Sequence, residues 1–223
     1  MLSFAAARRY MVDGQLRIND VTNPHLVGAF QAIPRERFVP ADKAELAYLD
    51  MDLPLAEPAG ARSPRYLLKP LVLAKLIEVA EVRETERVLD VGSTTGYSSA
   101  VLAALAKEVV SLEEDQALAQ AAEKNWAHLG RKNIVSRVGP LTEGASAEGP
   151  YDVIVLNGAV EFVPENLSAQ LVEGGRLVCV LRHGVAGKGM VYRFAAGVLS
   201  GRAVFDAAAP LLPGFVRPPA FAF

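Results

Sequence analysis

The stretch Val88-Leu89-Asp90-Val91-Gly92-Ser93-Thr94-Thr95-Gly96-Tyr97 limits the fold of this chain more than any other. Its apolar, β-branched opening ends in an acid, a glycine loop follows, and the next residues read as helix. Val109-Val110-Ser111-Leu112-Glu113-Glu114 then supplies a second strand that again ends in acid. Strand, glycine loop, helix, strand and terminal acid is the sequence form of one nucleoside-binding half of a doubly wound α/β sheet.

The rest of the chain fits around that unit. Residues 3–17 are rich in Ala, Arg and Leu and favour a helix. Asn23-Pro24 reads as N-cap and first helical residue of a helix through about Ala32. The run from Pro34 to Pro40 reads as a rigid connector, and residues 50–65, with Pro54, Pro58, Gly60 and Pro64, as a loop. A helix is predicted from Lys69 to Val79, with Pro70 tolerated in its first turn. From Arg87 onward the pattern alternates: strand 87–91, helix 97–106, strand 108–113, helix 115–129, strand 133–138, strand 151–157, a short helix 165–171 and strand 176–182. Such alternation predicts a parallel sheet with helices on both faces. Residues 189–196 and 202–208 read as a closing antiparallel pair. The expected organisation is one domain over 1–223, with a helical N-terminal cap (1–80), an α/β core (81–182) and C-terminal antiparallel strands with a tail (183–223).

A length of 223 residues suits one large domain. The net charge of −2, without a basic patch, argues against a nucleic-acid partner. No apolar run approaches ~18–20 residues, so no membrane span is expected. The N-terminus, with its arginines after its apolar residues, is not a signal peptide, and a cytoplasmic location is the default. Cys179, the single cysteine, lies in an apolar run and reads as a buried strand residue. His25, His128 and His183 show no metal-ligand spacing, so no metal is expected. The apolar runs 210–215 and 221–223 either pack back on the sheet or form a contact surface, for which a homodimer is one use.

In open parallel sheets, ligands lie outside the carboxyl ends of the strands at the switch point. Gly92 and Gly96 flank such a crevice, where backbone without Cβ can pass close to a ligand. Glycines alone can mean no more than a tight turn. Glu113, about twenty residues further on at the end of the next strand, favours the nucleoside reading, because a carboxylate there can accept from both ribose hydroxyls. Glu114 adjoins it. The spacing Gly92-x-x-x-Gly96 departs from the G-x-G-x-x-G of dinucleotide loops. Asp90, two residues before the first glycine, would repel a pyrophosphate but suits the cationic α-amino group of a methionine tail. S-adenosylmethionine (SAM) therefore fits better than NAD. Tyr97 opens the helix after the loop, where packing against the N-terminal cap is favoured over catalysis.

The chain resembles the protein-L-isoaspartate O-methyltransferases over nearly its whole length. The resemblance is carried by Gly14-Gln15-Leu16-Arg17, Pro34-Arg35-Glu36-Arg37-Phe38-Val39-Pro40, Asp52-Leu53-Pro54-Leu55, the 88–97 stretch, Ser111-Leu112-Glu113, Tyr151-Asp152-Val153-Ile154 and Leu171-Val172-Glu173-Gly174-Gly175-Arg176-Leu177-Val178. It implies a mostly parallel, seven-stranded, Rossmann-like SAM-methyltransferase sheet with a helical N-terminal part. It also implies transfer of a methyl group from SAM to the isoaspartyl carboxylate of an aged protein or peptide, whose ester allows repair through a succinimide. That chemistry asks little of side chains. A carboxylate is ionised at pH 7, about three units above its ordinary pKa of ~4, so no general base is needed and the protein supplies alignment and dehydration.

Three departures fall at positions the resemblance makes functional. The family's Gln-Thr-Ile-Ser-Gln-Pro-like segment, whose Ser lies near the reacting carboxylate, is here Arg65-Tyr66-Leu67-Leu68-Lys69-Pro70. Leu68 replaces the Ser, and Leu67, Leu68 and Lys69 become the acceptor-facing candidates, with His183 at the end of a core strand as a fourth. The family's Gly-Asp-Gly is Gly139-Pro140-Leu141, in which Pro140 cannot accept from an adenine amino group and Leu141 N–H faces the ring edge instead. The middle loop glycine is Thr94, which resists positive φ; its hydroxyl or that of Ser93 could bond the methionine carboxylate. The residues proposed for the cofactor are thus Asp90, Gly92, Ser93, Thr94, Gly96, Tyr97, Glu113, Glu114, Pro140 and Leu141. No catalytic residue is assigned. Leu68 and Pro140 keep two alternatives open: a SAM-fold protein that senses ligand or binds a partner, and a methyltransferase for another acceptor.

Overall fold

Seven strands make one sheet in the computed structural model, which describes residues 3–55, 64–184 and 186–217. They are β3 (Arg87–Val91), β4 (Glu108–Glu113), β5 (Ile134–Val138), β6 (Tyr151–Val160), β7 (Leu171–His183), β8 (Ala186–Ala195) and β9 (Val198–Asp206), in the spatial order β5-β4-β3-β6-β7-β8-β9. The pairs from β5 through β7 are parallel, and β7-β8 and β8-β9 are antiparallel. A two-residue pair, β1 (Leu53–Pro54) with β2 (Tyr66–Leu67), stands apart. The chain leaves β3 toward β4 and later returns to the other side of β3 as β6. The switch point therefore lies between the carboxyl ends of β3 and β6, where ligands of open sheets are found.

Alternating residues feed two cores, as the period of a strand requires. Val88, Val109, Val153, Val155, Val178 and Val180 face one side, with α1 (Phe4–Met11), α2 (Pro24–Ala32), α3 (Pro70–Ala80), α4 (Tyr97–Leu102) and α5 (Gln116–His128). Leu89, Val91, Val110, Ile154, Leu156, Leu177 and Cys179 face the other, with α6 (Glu165–Ser168), Leu141, Leu212 and Phe215. The first cluster runs unbroken from Met11 to Val191, so the N-terminal helices share the core of the sheet. Burial raises the Cys179 thiol to about 12, as a strand cysteine in an apolar core requires.

Local chemistry sets the element starts. Asn23 Oδ1 accepts from the N–H groups of His25 (2.9 Å) and Leu26 (3.3 Å), and Pro24 follows as the first helical residue. Asp115 Oδ1 caps α5 in the same way. Ends were less predictable. β7 begins at Leu171, not 176: a register shift between Tyr151 and Val153 absorbs extra residues around Gly174, which adopts φ +79°. β6 extends to Val160 because Ala159 and Val160 pair with Val180 and Leu181. α4 and α6 stop at Leu102 and Ser168, several residues short of expectation, and β8 and β9 begin three to four residues early. Pro58 and Gly60 of the expected loop, and the run 221–223, lie outside the described residues. No helix among the described residues is long and apolar enough to cross a membrane.

Arg176 ties this frame together. Its guanidinium donates to Glu86 Oε1 (2.8 Å) and Oε2 (2.7 Å), to the Glu81 carbonyl (2.6 Å) and to the Ala80 carbonyl, joining β7 to the end of α3 and the entry to β3. Both partners are buried. Removing one leaves the other charge unpaired, so Arg176→Ala should lower the unfolding free energy by about 3–5 kcal/mol. Adding Glu86→Ala should cost much less than a second such step. Urea unfolding of the two single variants and the double variant measures this, and strict additivity would contradict it.

Candidate functional site

The glycine loop sits at the switch point and is hydrogen-bonded into the sheet. Gly92 N–H and Ser93 N–H donate to the Leu112 carbonyl (2.8 and 3.4 Å), and Gly96 N–H to that of Ser93 (2.9 Å). Gly92 and Gly96 have φ of +80° and +89°. Thr94 also takes a left-handed conformation, φ +54°, against the reluctance of a β-branched residue. Its N–H donates to Glu113 Oε2 at 2.8 Å, and this bond to a buried carboxylate offsets the strain.

Glu113 ends β4 where expected, one strand over from the loop, and is 1% exposed. Its carboxylate is not free for a ribose in this conformation. Oε2 accepts from Arg65 Nη2 and Thr94 N–H, both at 2.8 Å; Oε1 accepts from Glu114 N–H (3.0 Å) and Asp115 N–H (3.2 Å). Burial raises the Glu113 pKa, and the Arg65 guanidinium and these backbone donors oppose the rise. Glu114 is at the surface, with Oε1 3.6 Å from Arg65 Nη1.

The space beside both glycines is filled by the chain itself. A Cβ on Gly92 would meet Leu212 Cδ2 at 2.8 Å and Arg65 Nη2 at 3.4 Å. One on Gly96 would meet the Trp126 indole at 2.5 Å, and the indole N–H donates to the Gly96 carbonyl at 2.8 Å. Gly96 thus serves the packing of α5 against the loop, a reason distinct from ligand approach. Leu212 arrives on a segment that docks on the end of β6, with Ala159 N–H donating to the Pro210 carbonyl (2.7 Å) and Leu212 N–H to the Ala159 carbonyl (2.8 Å). The cavity beside Thr94, lined by Arg65, Leu68, Thr94, Asn157, Leu211 and Leu212, holds about 10 Å³. A small-molecule site needs about 300 Å³ or more. The donor set therefore suits an adenosyl ligand, while the described residues leave it no room between Thr94 and Leu212; a wider cavity of about 600 Å³ adjoins, lined by Asp52, Tyr66, Leu211, Leu212 and Val216.

Asp90 points into the sheet–helix junction. Its Oδ2 accepts from the hydroxyls of Ser98 and Ser99, both at 2.6 Å. The Ser99 and Ser111 hydroxyls lie 3.0 Å apart, and Ser111 donates to Ser93 at 2.7 Å, which engages the Ser93 hydroxyl inside the protein. Asn157, at the irregular part of β6, donates to Ser98 Oγ (2.8 Å) and the Gly92 carbonyl (3.4 Å). Among the described residues, Asp90 Oδ1, Thr94 Oγ1, Asn157 Oδ1 and Arg65 Nη1 are buried without hydrogen-bond partners. Such a concentration at one crevice is unusual, since buried polar groups are normally satisfied.

The other candidates scatter. Tyr97 is wholly buried and packs edge-on against Phe30 and Phe38, with the Arg35 guanidinium 4.7 Å from its ring centre, so it belongs to the cap interface rather than to the crevice. Leu67 pairs with Leu53 in the small sheet. Leu68 is 2% exposed, and its carbonyl accepts from Arg35 Nη2 at 2.8 Å. Lys69 N–H donates to Asp52 Oδ1 at 2.8 Å. Leu141 is buried within reach of Gly92, whereas Pro140 is exposed at the start of a short 3₁₀ turn. His183 is exposed where β7 turns into β8 and does not line the cavity beside Thr94. Sequence reasoning passed over Arg65, Asn157 and Leu212. Asn157 carried a usable signal, a polar residue closing an apolar strand beside the loop. No group of three or more His, Cys, Asp or Glu side chains among the described residues could hold a metal.

Burial pushes Asp90 up to about 6 against the lowering effect of the Ser98 and Ser99 hydroxyls. The protonated form is favoured by folding, so this stability is complete below about pH 4 and is lost as pH rises through about 6. Wild type should lose up to about 3 kcal/mol relative to Asp90→Asn between pH 4 and pH 7. Urea unfolding at both pH values tests this, and parallel pH profiles of the two proteins would refute it.

Comparison with known proteins bears on the same residues. A family model described as protein-L-isoaspartate(D-aspartate) O-methyltransferase matches residues 8–194. A Koribacter versatilis protein-L-isoaspartate O-methyltransferase is 38% identical over 178 residues, 80% of this chain and 78% of that protein. Protein-L-isoaspartate O-methyltransferase 1 of Rhodopseudomonas palustris is 38% identical over 176 residues, covering 79% of this chain and 69% of its own length. A solved protein-L-isoaspartate O-methyltransferase superposes with a TM-score of 0.80 at 26% identity, over 93% of this chain and 66% of that one. A Plasmodium falciparum structure described as a putative member, in complex with S-adenosyl-L-homocysteine, superposes at 0.73 over 94% of this chain and 97% of that one, and at 17% identity shares the fold.

Proposed function

The chain belongs to the protein-L-isoaspartate O-methyltransferase family, and we propose that it is a SAM-dependent methyltransferase whose acceptor is a carboxylate of a protein or peptide, the isoaspartyl carboxylate of aged proteins first among them. The observation that carries this reading is the buried Glu113 carboxylate at the end of β4, one strand from the Gly92–Gly96 loop. When bound, SAM supplies a sulfonium-activated methyl group. Glu113 would accept from its ribose hydroxyls, the 92–96 loop would pass along its tail, and Leu141 would contact its base. Thr94 Oγ1 and Asn157 Oδ1 are buried polar atoms that a polar ligand can satisfy.

The residues of the crevice exclude water and orient. Leu68 supplies an apolar wall, and the Arg35 bond to the Leu68 carbonyl fixes the 65–70 segment. An acceptor carboxylate needs no base at neutral pH, so the scarcity of histidine and cysteine around the loop accords with the chemistry. A second reading, transfer to a different acceptor, is favoured by Leu68 itself. It stands where the resemblance places a serine, is buried, and offers the acceptor no side-chain hydrogen bond.

S-adenosylhomocysteine at a hundred times its Kd should raise the melting temperature by about 5–10 °C. Methyl label from SAM should pass to an isoaspartyl peptide as a base-labile ester, and not to the matching aspartyl peptide. Ligand-dependent stabilisation without labelling of the isoaspartyl peptide would move the acceptor assignment to the second reading. A melting temperature insensitive to ligand would overturn the cofactor assignment.

A further inference from the structure

Leu212 and Arg65 close on Gly92 from two directions, and both stand where an adenosyl ligand on Glu113 would lie. We propose that the segment from Pro210 to Arg217 is a displaceable strap, with Arg65 as a latch on Glu113, so that strap docking and cofactor binding exclude one another. This inference rests on the cofactor reading above.

The geometry of the contact supports displacement rather than permanent cover. Gly92 follows β3 and Gly158 lies at the irregular part of the adjacent parallel strand β6, and a Cβ on either would meet Leu212 at 2.8 Å. The two glycines thus form a slot in backbone, and Leu212 is its occupant. The occupant is chemically mismatched. An isobutyl group fills a slot whose walls include Thr94 and Asn157, and among the described residues Thr94 Oγ1 and Asn157 Oδ1 have no hydrogen-bond partner, while Arg65 Nη1 has only the 3.6 Å ion pair with Glu114. The two oxygens are left unsatisfied. A polar ligand would satisfy what leucine cannot. The strap is also lightly tethered. Pro210 and Pro213 have no N–H, so the segment cannot extend into a ladder on β6, and its bridge there is limited to Ala159 with Leu211. Further bonds run from Glu161 N–H to the Phe215 carbonyl (2.9 Å) and from Arg217 N–H to Glu161 Oε2 (2.8 Å). Phe215 is buried beyond the slot and can hold the far end while Leu212 lifts, with Gly214 at φ +81° between them.

The latch follows from charge. Glu113 Oε2 holds the Arg65 guanidinium, and ribose hydroxyls would compete for the same oxygen. Exchanging the pair for the ligand releases Arg65 toward Glu114, whose carboxylate already lies 3.6 Å away at the surface.

Hydrogen exchange of the full-length wild-type protein with saturating S-adenosylhomocysteine reads the strap directly. The Leu212 N–H, bonded to Ala159, should exchange at least tenfold faster with ligand than without. In calorimetric titrations, Leu212→Ala and Arg65→Ala, each checked for cooperative unfolding, should bind the ligand at least tenfold more tightly than wild type. Unchanged Leu212 exchange together with equal affinity in all three proteins would overturn the strap and leave the cofactor reading standing. Failure of wild type and both variants to bind would overturn the cofactor reading and the strap with it.

Discussion

The arrangement around the crevice depends on the four hydrogen bonds accepted by one buried carboxylate. Glu113 draws Thr94 into a left-handed conformation, fixes the turn into α5 through Glu114 and Asp115, and pulls the Arg65 guanidinium beneath the surface. The partners lie on three parts of the chain: the segment before α3, the glycine loop and the turn into α5. A charge this deeply buried is tolerated because it is paired and fully hydrogen-bonded. Neutralising it would free the loop, the segment before α3 and the entry to α5 together.

The same carboxylate explains why the site looks closed. A nucleoside site of this fold presents an acid at the end of the second strand, and a carboxylate buried there needs hydrogen-bond donors. Arg65 meets the need, and Leu212 covers the slot left by Gly92 and Gly158. Such substitution of protein groups for ligand groups keeps the core dry. Its cost is visible in Thr94 Oγ1, Asn157 Oδ1 and Asp90 Oδ1, which have no hydrogen-bond partner among the described residues.

The sheet was legible because its information is local. The β-branched runs ending at Val91 and Glu113 and the Asn23-Pro24 cap each specify their element without reference to distant residues. Element ends were harder. β7 reaches back to Leu171 and β6 on to Val160 because of pairing between strands, which no window of sequence contains. Within the candidate site, the placement of Glu113 and the loop at neighbouring strand ends was legible by spacing. The packing of Gly96 was not legible, because Trp126 lies a whole helix away and its indole fills the position. Arg65 was invisible for a physical reason. Arginine is almost never buried unless paired, and its partner is on another strand. The alternative open for the run 210–215 resolves toward packing on the sheet, through contacts with Ala159 and Glu161.

The account stands or falls on what Glu113 holds when ligand is present. A crystal structure of the full chain grown with S-adenosylhomocysteine decides it. The account predicts ribose hydroxyls within about 3 Å of Glu113, the Arg65 pair broken and Leu212 withdrawn from Gly92. An intact Arg65–Glu113 pair with the ligand bound elsewhere would contradict it.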